Sequence, residues 1–427
     1  MFLSPVNCDA ILKKLTMKIP KDSNINMWVG AWRKGVSWNH AKIIAVDGIY
    51  LHTGGHNMWD PHYLKDSPVH DLSFELKGRV AHDGHLFANE QWAFIESIQS
   101  TCCGQFVDKL PDSLPLVAKT RVTVSEFPIG QTTEFPPMYK KRFVPKRERE
   151  DDDVPLITMG RYGSVLSYYR PSDDAFIAMF DSAKKIIRLA LQDLGPVRIP
   201  KTTITVPGCK WPHSTLEALA RAVWLRGVDV EIALSNPLSI PGGLGPTEAQ
   251  YGNGWTCVDV AAELIKAIRK QFPSAPDADL RKKVEENLRV CFIRRKVGNK
   301  YETGMTLGMH AKHFIVDDVC TYIGSQNLYI CDLAEWGVVV DHKEQVKKLK
   351  AEYWDPLWQN SYTGEDCDVQ EVMDSLDIYR DGENPIFAST ETKKQQQMAA
   401  ALQTGSGVNK DPELYFDDET GGVEMTQ

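Results

Sequence analysis

The chain has 427 residues, 42% of them apolar and 25% charged, with a formal net charge of −8, which describes a soluble globular protein too long for one core and suited to two domains. Its acidic balance supplies no basic field for gripping a nucleic-acid backbone along its length, and no stretch approaches the roughly 20 apolar residues that a bilayer span needs. The nine cysteines lack C-x-x-C spacing, and with Cys102-Cys103 adjacent they form neither a zinc pattern nor a disulfide framework.

Met1 to Asn24 lacks the apolar run of a signal peptide, a slight lean toward the cytoplasm that leaves localisation open, because a late start of the chain would hide any such segment. The first informative stretch is N-H-A-K-I-I-A-V-D-G at 39–48. It reads as a β-strand with His40 and Lys42 two apart on one face, ending in a turn at Asp47-Gly48. A return strand, I-Y-L-H-T, leads to Gly54-Gly55-His56-Asn57. Residues 140–153, K-K-R-F-V-P-K-R-E-R-E-D-D-D, mix opposite charges with little to bury and read as a solvated linker.

Beyond the linker, helices alternate with short apolar strands. Ser172 to Ala183 presents Phe176, Phe180 and Ala183 on one helical face and runs into the strand I-I-R-L-A-L. Ser214 and Glu217 read as a capping box opening a helix that stops at Gly227, before V-D-V-E-I-A-L. Helices over about 256–272 and 277–288 precede the strand L-R-V-C-F-I. This order predicts an α/β fold, a mixed sheet with helices on both faces. Then M-H-A-K-H-F-I-V-D at 309–317 repeats the first stretch: His310, Lys312 and Asp317, a return strand V-C-T-Y-I, and Gly324-Ser325-Gln326-Asn327. From about residue 390 the chain turns to Lys, Gln, Gly and acidic residues and reads as a disordered tail.

With 11 histidines in the chain, about 0.05 accidental H-x-K-x-x-x-x-D matches are expected. Two copies that also share the spacing to Gly and Asn imply duplication of the halves. Two histidines brought together across an approximate two-fold axis supply one imidazole to attack and one to protonate a leaving group. Paired lysines and asparagines supply donors for an anion whose charge is spread over non-bridging oxygens, a phosphodiester. No metal site is expected: His52, His56, His62 and His70 crowd the first copy, but their spacing fits no common zinc pattern.

The paired H-x-K-x-x-x-x-D stretches, each followed by G-G/S-x-N, resemble the phospholipase D superfamily. T-G-G-H-N-M-W-D-P-H-Y-L, H-D-L-S-F-E-L, S-Y-Y-R-P-S-D, L-Q-D-L and L-A-E-W-G-V-V-V extend the likeness to the bacterial secreted enzymes over most of residues 5–360. The resemblance implies two pseudo-symmetric lobes, each a mixed β-sheet flanked by helices: 1–139, then the linker at 140–153, then 154–365, with a C-terminal extension over 366–427. It implies no cofactor, and a double displacement in which His40 attacks phosphorus while His310 protonates the departing alcohol and then activates water or another alcohol. Asp71 and Glu335 match the acidic residues that fix the histidine tautomers. Lys42, Lys312, Asn57 and Asn327 match the phosphate-binding set, with Ser325 as a phosphate-side hydroxyl, and Asp47 and Asp317 as structural turn residues.

The implied substrate is a glycerophospholipid such as phosphatidylcholine, met by a monomer at a lipid surface with no stable nucleic acid. The alternatives are a nuclease or other phosphodiesterase of the superfamily, or a non-catalytic remnant. The last arises because the second motif copy has more than 140 residues of α/β pattern ahead of it and the first only 39, so the first lobe reads as N-terminally truncated, with an exposed sheet edge. Trp38, Trp59, Tyr63 and Trp336 read either as an entrance lining or as packing, and Asn236 to Trp255 as a gating or connecting loop.

Overall fold

A computed structural model describes residues 8–20, 22–34, 37–57, 67–99, 124–127, 136–140, 153–163, 171–198, 205, 210–237, 239, 252–329 and 333–380. Most of the charged linker, the tail beyond 380, Cys102, Cys103, Trp59, His62, Tyr63 and most of the 236–255 loop lie outside these residues.

The first half opens with α1 (Cys8–Thr16), β1 (Met27–Gly30) and a small pair, β2 (Arg33–Lys34) and β3 (Ser37–Trp38). Next come β4 (Ile43–Val46) and β5 (Tyr50–Gly54), joined through Asp47 and Gly48 at φ 56° and 70°. Two consecutive left-handed residues match the twist of a tight hairpin, and Asp-Gly is the pair that adopts them most cheaply. Antiparallel β6 (Ser73–Lys77) completes a three-stranded sheet, and α2 (Arg79–Gln99) follows. Val80, Ala81 and Phe87 of α2 pack on Leu51, with Ile43, Ala45, Phe74 and Leu76 around them. Strand β7 (Val124–Phe127) pairs with β1.

The second half is a seven-stranded sheet. Its strands are β8 (Leu156–Tyr162), β9 (Ile186–Leu191), β10 (Asp229–Leu234), β11 (Leu288–Phe292), β12 (Lys312–Val316), β13 (Cys320–Gly324) and β14 (Ala334–Asp341), in the order β11-β10-β9-β12-β13-β14-β8. Strands β9, β10 and β11 run parallel, connected by α3 (Pro171–Ser182) ahead of β9, α4 (His213–Arg226), α5 (Cys257–Gln271) and α6 (Asp277–Asn287); the remaining pairs are antiparallel. One face buries Phe176, Phe180, Leu219, Val223, Leu264 and Ile268 against the sheet. The other face lies under α7 (Lys343–Leu349), a π-turn at Lys350–Trp354 and α8 (Asp355–Ser361), with Ile315, Trp354 and Leu357 buried there. Helices thus cover both faces, as the mixed α/β pattern predicts.

Three expectations are corrected. Ser214 does not cap α4: the helix starts at His213, and its N-cap, Pro212, makes no side-chain bond. The formed capping box is at Thr256, whose hydroxyl accepts from Asp259 N–H while the Asp259 carboxylate accepts from Thr256 N–H. The second half also does not end at 365. In α9 (Val369–Asp374) and the turn after it, Val372, Met373 and Ile378 are buried in its core, and Asp374 pairs with buried Arg281. Finally, the two motif histidines precede their strands rather than lying in them, since β4 starts at Ile43 and β12 at Lys312.

The repeat is visible in three dimensions as β4-β5-β6 against β12-β13-β14. Both faces of β12 are buried, with Phe314 and Val316 packed under α3 and α4, and its far side pairs with β9. Among the described residues β4 pairs only with β5. Ile44 and Val46, in the places of Phe314 and Val316, are 47% and 46% exposed.

Candidate active site

Two backbone crossings join the halves where the repeated motifs begin. Asn39 bridges Ala334 in parallel, and His40 N–H donates to the Ala334 carbonyl at 2.8 Å. In the mirrored place His70 bridges Met309, and His310 N–H donates to the His70 carbonyl at 2.8 Å. Each histidine therefore rides on extended backbone stitched to the opposite half. Their ring centroids are 6.2 Å apart with the planes at 75°.

The carboxylates cross over as well. Nδ1–H of His40 donates to Glu335 Oε2 at 3.0 Å, and Nδ1–H of His310 donates to Asp71 Oδ2 at 2.9 Å. Glu335 and Asp71 have fully buried side chains. A carboxylate on Nδ1–H selects the tautomer whose lone pair is on Nε2, and stabilises the imidazolium when one forms. Burial works against ionisation of Asp71, but its bond to His310 and the charges of His310 and Lys312 outweigh it and hold the group below its ordinary value. For Glu335 too, burial is outweighed, here by His40, Arg161 and Ser325.

Lys42 and Lys312 are buried, at 5% and 2% exposure. Lys42 Nζ donates to the His40 carbonyl at 2.7 Å, while Lys312 Nζ donates to Gln192 Oε1 at 3.1 Å and to the His310 carbonyl. Burial pushes Lys42 down to about 8, and burial together with the charge of Lys42 pushes Lys312 well below its usual range, although the carboxylates pull both upward. Burial and the neighbouring lysine lower both histidines as well, His310 to about 3. Two desolvated ammonium groups beside two neutral imidazoles favour an anion in this place.

Ser325 departs from its expected place. Its hydroxyl donates to Glu335 Oε2 at 2.5 Å and accepts from Trp336 N–H at 3.1 Å, so it buttresses the carboxylate rather than offering itself to a substrate oxygen. Its counterpart, Gly55, lies so close to the other carboxylate that a Cβ there would fall 1.9 Å from Asp71 Oδ1. Asn57 and Asn327 close the two G-x-x-N stretches just after β5 and β13; Asn327 is buried and Asn57 half-buried. Asp47 sits in its turn. Asp317 accepts the backbone N–H groups of Lys184, Lys185 and Ile186, tying the β12 turn to the start of β9.

Of the other singled-out residues, His56 Nδ1 meets Ser73 Oγ at 2.6 Å, His70 Nε2 meets Tyr353 OH at 3.1 Å, and His52 lies opposite Glu75 in the sheet. No cluster of three metal-binding side chains occurs among the described residues. Trp336 packs with Phe87 in the core, and Trp38 is half-buried. Sequence reasoning missed Gln192, Arg161, Asp173 and Gln326. The last three form a chain behind Glu335, and the signal for them was a charged residue on an otherwise apolar strand, L-I-T-M-G-R-Y.

No protein-family model matches the chain. A curated relative, the phospholipase D of Streptomyces antibioticus, is 23% identical over 353 residues, 77% of this chain and 60% of the relative. The chain thus spans about three fifths of that protein's length. Among solved structures, the phosphatidylserine synthase of Haemophilus influenzae Rd KW20 is similar at 13% identity and a TM-score of 0.45, covering 93% of this chain and 76% of that one. NucT from Helicobacter pylori aligns with 49% of this chain and 98% of its own at 15% identity and a TM-score of 0.27. The two H-x-K-x-x-x-x-D copies thus meet in one crossed site, in a chain similar over 77% of its length to a curated relative named phospholipase D.

Proposed function

We propose that the chain is a phosphodiesterase of the double-displacement type, acting on glycerophospholipids such as phosphatidylcholine at a lipid surface. One observation carries the phosphodiester reading: two imidazoles 6.2 Å apart, each with its Nδ1–H on a carboxylate from the opposite half, with two buried lysines beside them. The lipid assignment is supported by the curated relative's name and by the stretches shared with the secreted enzymes.

In the first step Nε2 of one histidine attacks phosphorus, the bond to the leaving alcohol breaks, and the second histidine gives that alcohol its proton. In the second step water or an alcohol attacks the phosphohistidine, the P–N bond breaks, and the second histidine takes the proton back. We assign His40 as nucleophile and His310 as acid and base. At rest His310 is neutral, held down by burial and Lys312. An anionic phosphodiester between the lysines offsets their charge and restores the proton affinity that the acid role needs. The non-bridging oxygens are held by Lys42 and Lys312, with Asn57 and Asn327 as further donors.

The test is product analysis on phosphatidylcholine vesicles with added ethanol, for the chain and for His310→Asn. Phosphatidic acid and phosphatidylethanol from the unmodified chain alone are expected, because a phosphohistidine partitions between water and alcohol. A folded chain that makes neither, yet cleaves bis-p-nitrophenyl phosphate, would overturn the lipid assignment and keep the phosphodiesterase.

A further inference from the structure

The two oxygens of Glu335 have different company. Oε2 accepts from His40 at 3.0 Å and from Ser325 at 2.5 Å, whereas Oε1 faces the guanidinium of Arg161, whose Nη2 lies 3.9 Å away. Arg161 is buried on β8, with Nη1 at 3.0 and 3.1 Å from the two oxygens of Asp173 in the first turn of α3. Gln326 Nε2–H donates to the same Asp173 at 2.7 Å. Asp71, the mirrored carboxylate, meets main chain instead: Oδ1 accepts Leu72 N–H at 2.8 Å and lies against Gly55. The repeat thus gives each histidine a carboxylate but furnishes the two carboxylates differently.

We propose that Arg161 is a positioning residue that makes the two histidines chemically unequal: its charge against Glu335 Oε1 weakens that carboxylate's hold on the His40 proton and keeps His40 in the neutral, attacking form. The inference rests on the phosphodiesterase reading above. The charged groups facing His40 are Lys42, Lys312 and Glu335, with the His310 ring beside it. Those facing Glu335 are His40, Arg161, Lys42 and Lys312, together with the hydroxyls of Ser325 and Tyr322. Asp173 sets the strength of the effect, because it offsets part of the guanidinium charge. Removing Arg161 and releasing it from Asp173 therefore act in opposite directions: the first raises the proton affinity of His40, the second lowers it.

The experiment follows the His40 imidazole by NMR titration, and the pH–rate profile on bis-p-nitrophenyl phosphate, in the full chain and in Arg161→Gln, Arg161→Lys and Asp173→Asn. Arg161→Gln is expected to move the His40 titration and the acidic limb up by about one pH unit, a roughly tenfold loss of rate on that limb with the plateau kept. Arg161→Lys restores most of the limb, and Asp173→Asn moves it down. A purely structural role predicts that both lesions lower the plateau with no opposed shifts, and that result, or an unmoved His40 in a natively melting Arg161→Gln, overturns the proposal. If Arg161→Gln does not fold, Asp173→Asn decides alone, an unmoved or raised limb refuting. An inactive unmodified chain would sink the phosphodiesterase reading, while the NMR titration still judges Arg161.

Discussion

Gly55 and Ser325 hold the same place in the repeat, so symmetry alone would allow a side chain at 55. The site forbids it. A Cβ on Gly55 would lie 1.9 Å from Asp71 Oδ1, 2.7 Å from its Cγ and 2.9 Å from Oδ2. Ordinary contact begins near 3.4 Å, so in Gly55→Ala the carboxylate must retreat by about 1.5 Å, which the 2.9 Å bond to His310 cannot survive. A hydrogen bond to a charged group contributes about 1.5–3 kcal/mol, equivalent to roughly 10- to 150-fold in rate if the loss falls wholly on the transition state. Gly55→Ala should therefore lower kcat on bis-p-nitrophenyl phosphate by about one to two orders of magnitude. The backbone at Gly55 lies outside the left-handed region, so alanine adds no backbone strain there, and the fall in melting temperature should be no larger than the loss of the Asp71–His310 bond accounts for. Because alanine acts only through Asp71, Gly55→Ala combined with Asp71→Asn should be no slower than Asp71→Asn alone. Full activity in Gly55→Ala, or losses that multiply in the double variant, would refute the reasoning.

Three further outcomes are expected. Phe314 sits edge-on to Phe176 and Phe180, at 5.0 and 4.9 Å, and stacks on Tyr322 at 5.1 Å; Phe314→Ala should cost about 3–5 kcal/mol in denaturant unfolding, because no neighbouring element is free to fill the hole. Asp317→Ala removes the acceptor of three backbone N–H groups and strains a turn residue at φ 54°, so a loss of about 2–4 kcal/mol is expected, with kcat per folded molecule unchanged. Burial, the largest cause, depresses His70 and His313 to about 4 and His310 to about 3. The unfolded chain therefore takes up protons first as pH falls below about 6.5, and stability drops by up to about 1.4 kcal/mol per pH unit per histidine until each folded-state value is reached. His313→Gln should flatten that slope by one proton between pH 6 and 4, and an unchanged slope in acid titrations of stability would contradict the assignment.

Much of this was legible in the linear chain because it depends on neighbours. Asp47-Gly48 and Asp317-Asp318 announce hairpin turns through the low cost of left-handed backbone at Asp and Gly, and Gly227 stops its helix at φ 62° for the same reason. Strand and helix alternation follows from apolar spacing, and the duplicated His, Lys and Asn spacing pointed to a two-fold site. Local rules failed where packing competed with them. Ser214 carries the right signature for a cap, yet with Leu216 and Leu219 buried against the sheet the helix starts two residues earlier, at His213, with Pro212 in the cap position. Ser325 has the right type for a phosphate contact, but the fold turns it onto Glu335.

By itself, then, the sequence determined the repeat, the chemistry-bearing residue types and the two hairpins that present them. Only the tertiary structure decided that the histidines lie ahead of their strands, that each is held by a carboxylate of the opposite half, and that Arg161 and Asp173 stand behind one carboxylate while main chain stands behind the other. The physical reason is sequence separation. His40 meets Glu335 across 295 residues and His310 meets Asp71 across 239, and pairings of that span are set by how two cores dock, which no local propensity or spacing records.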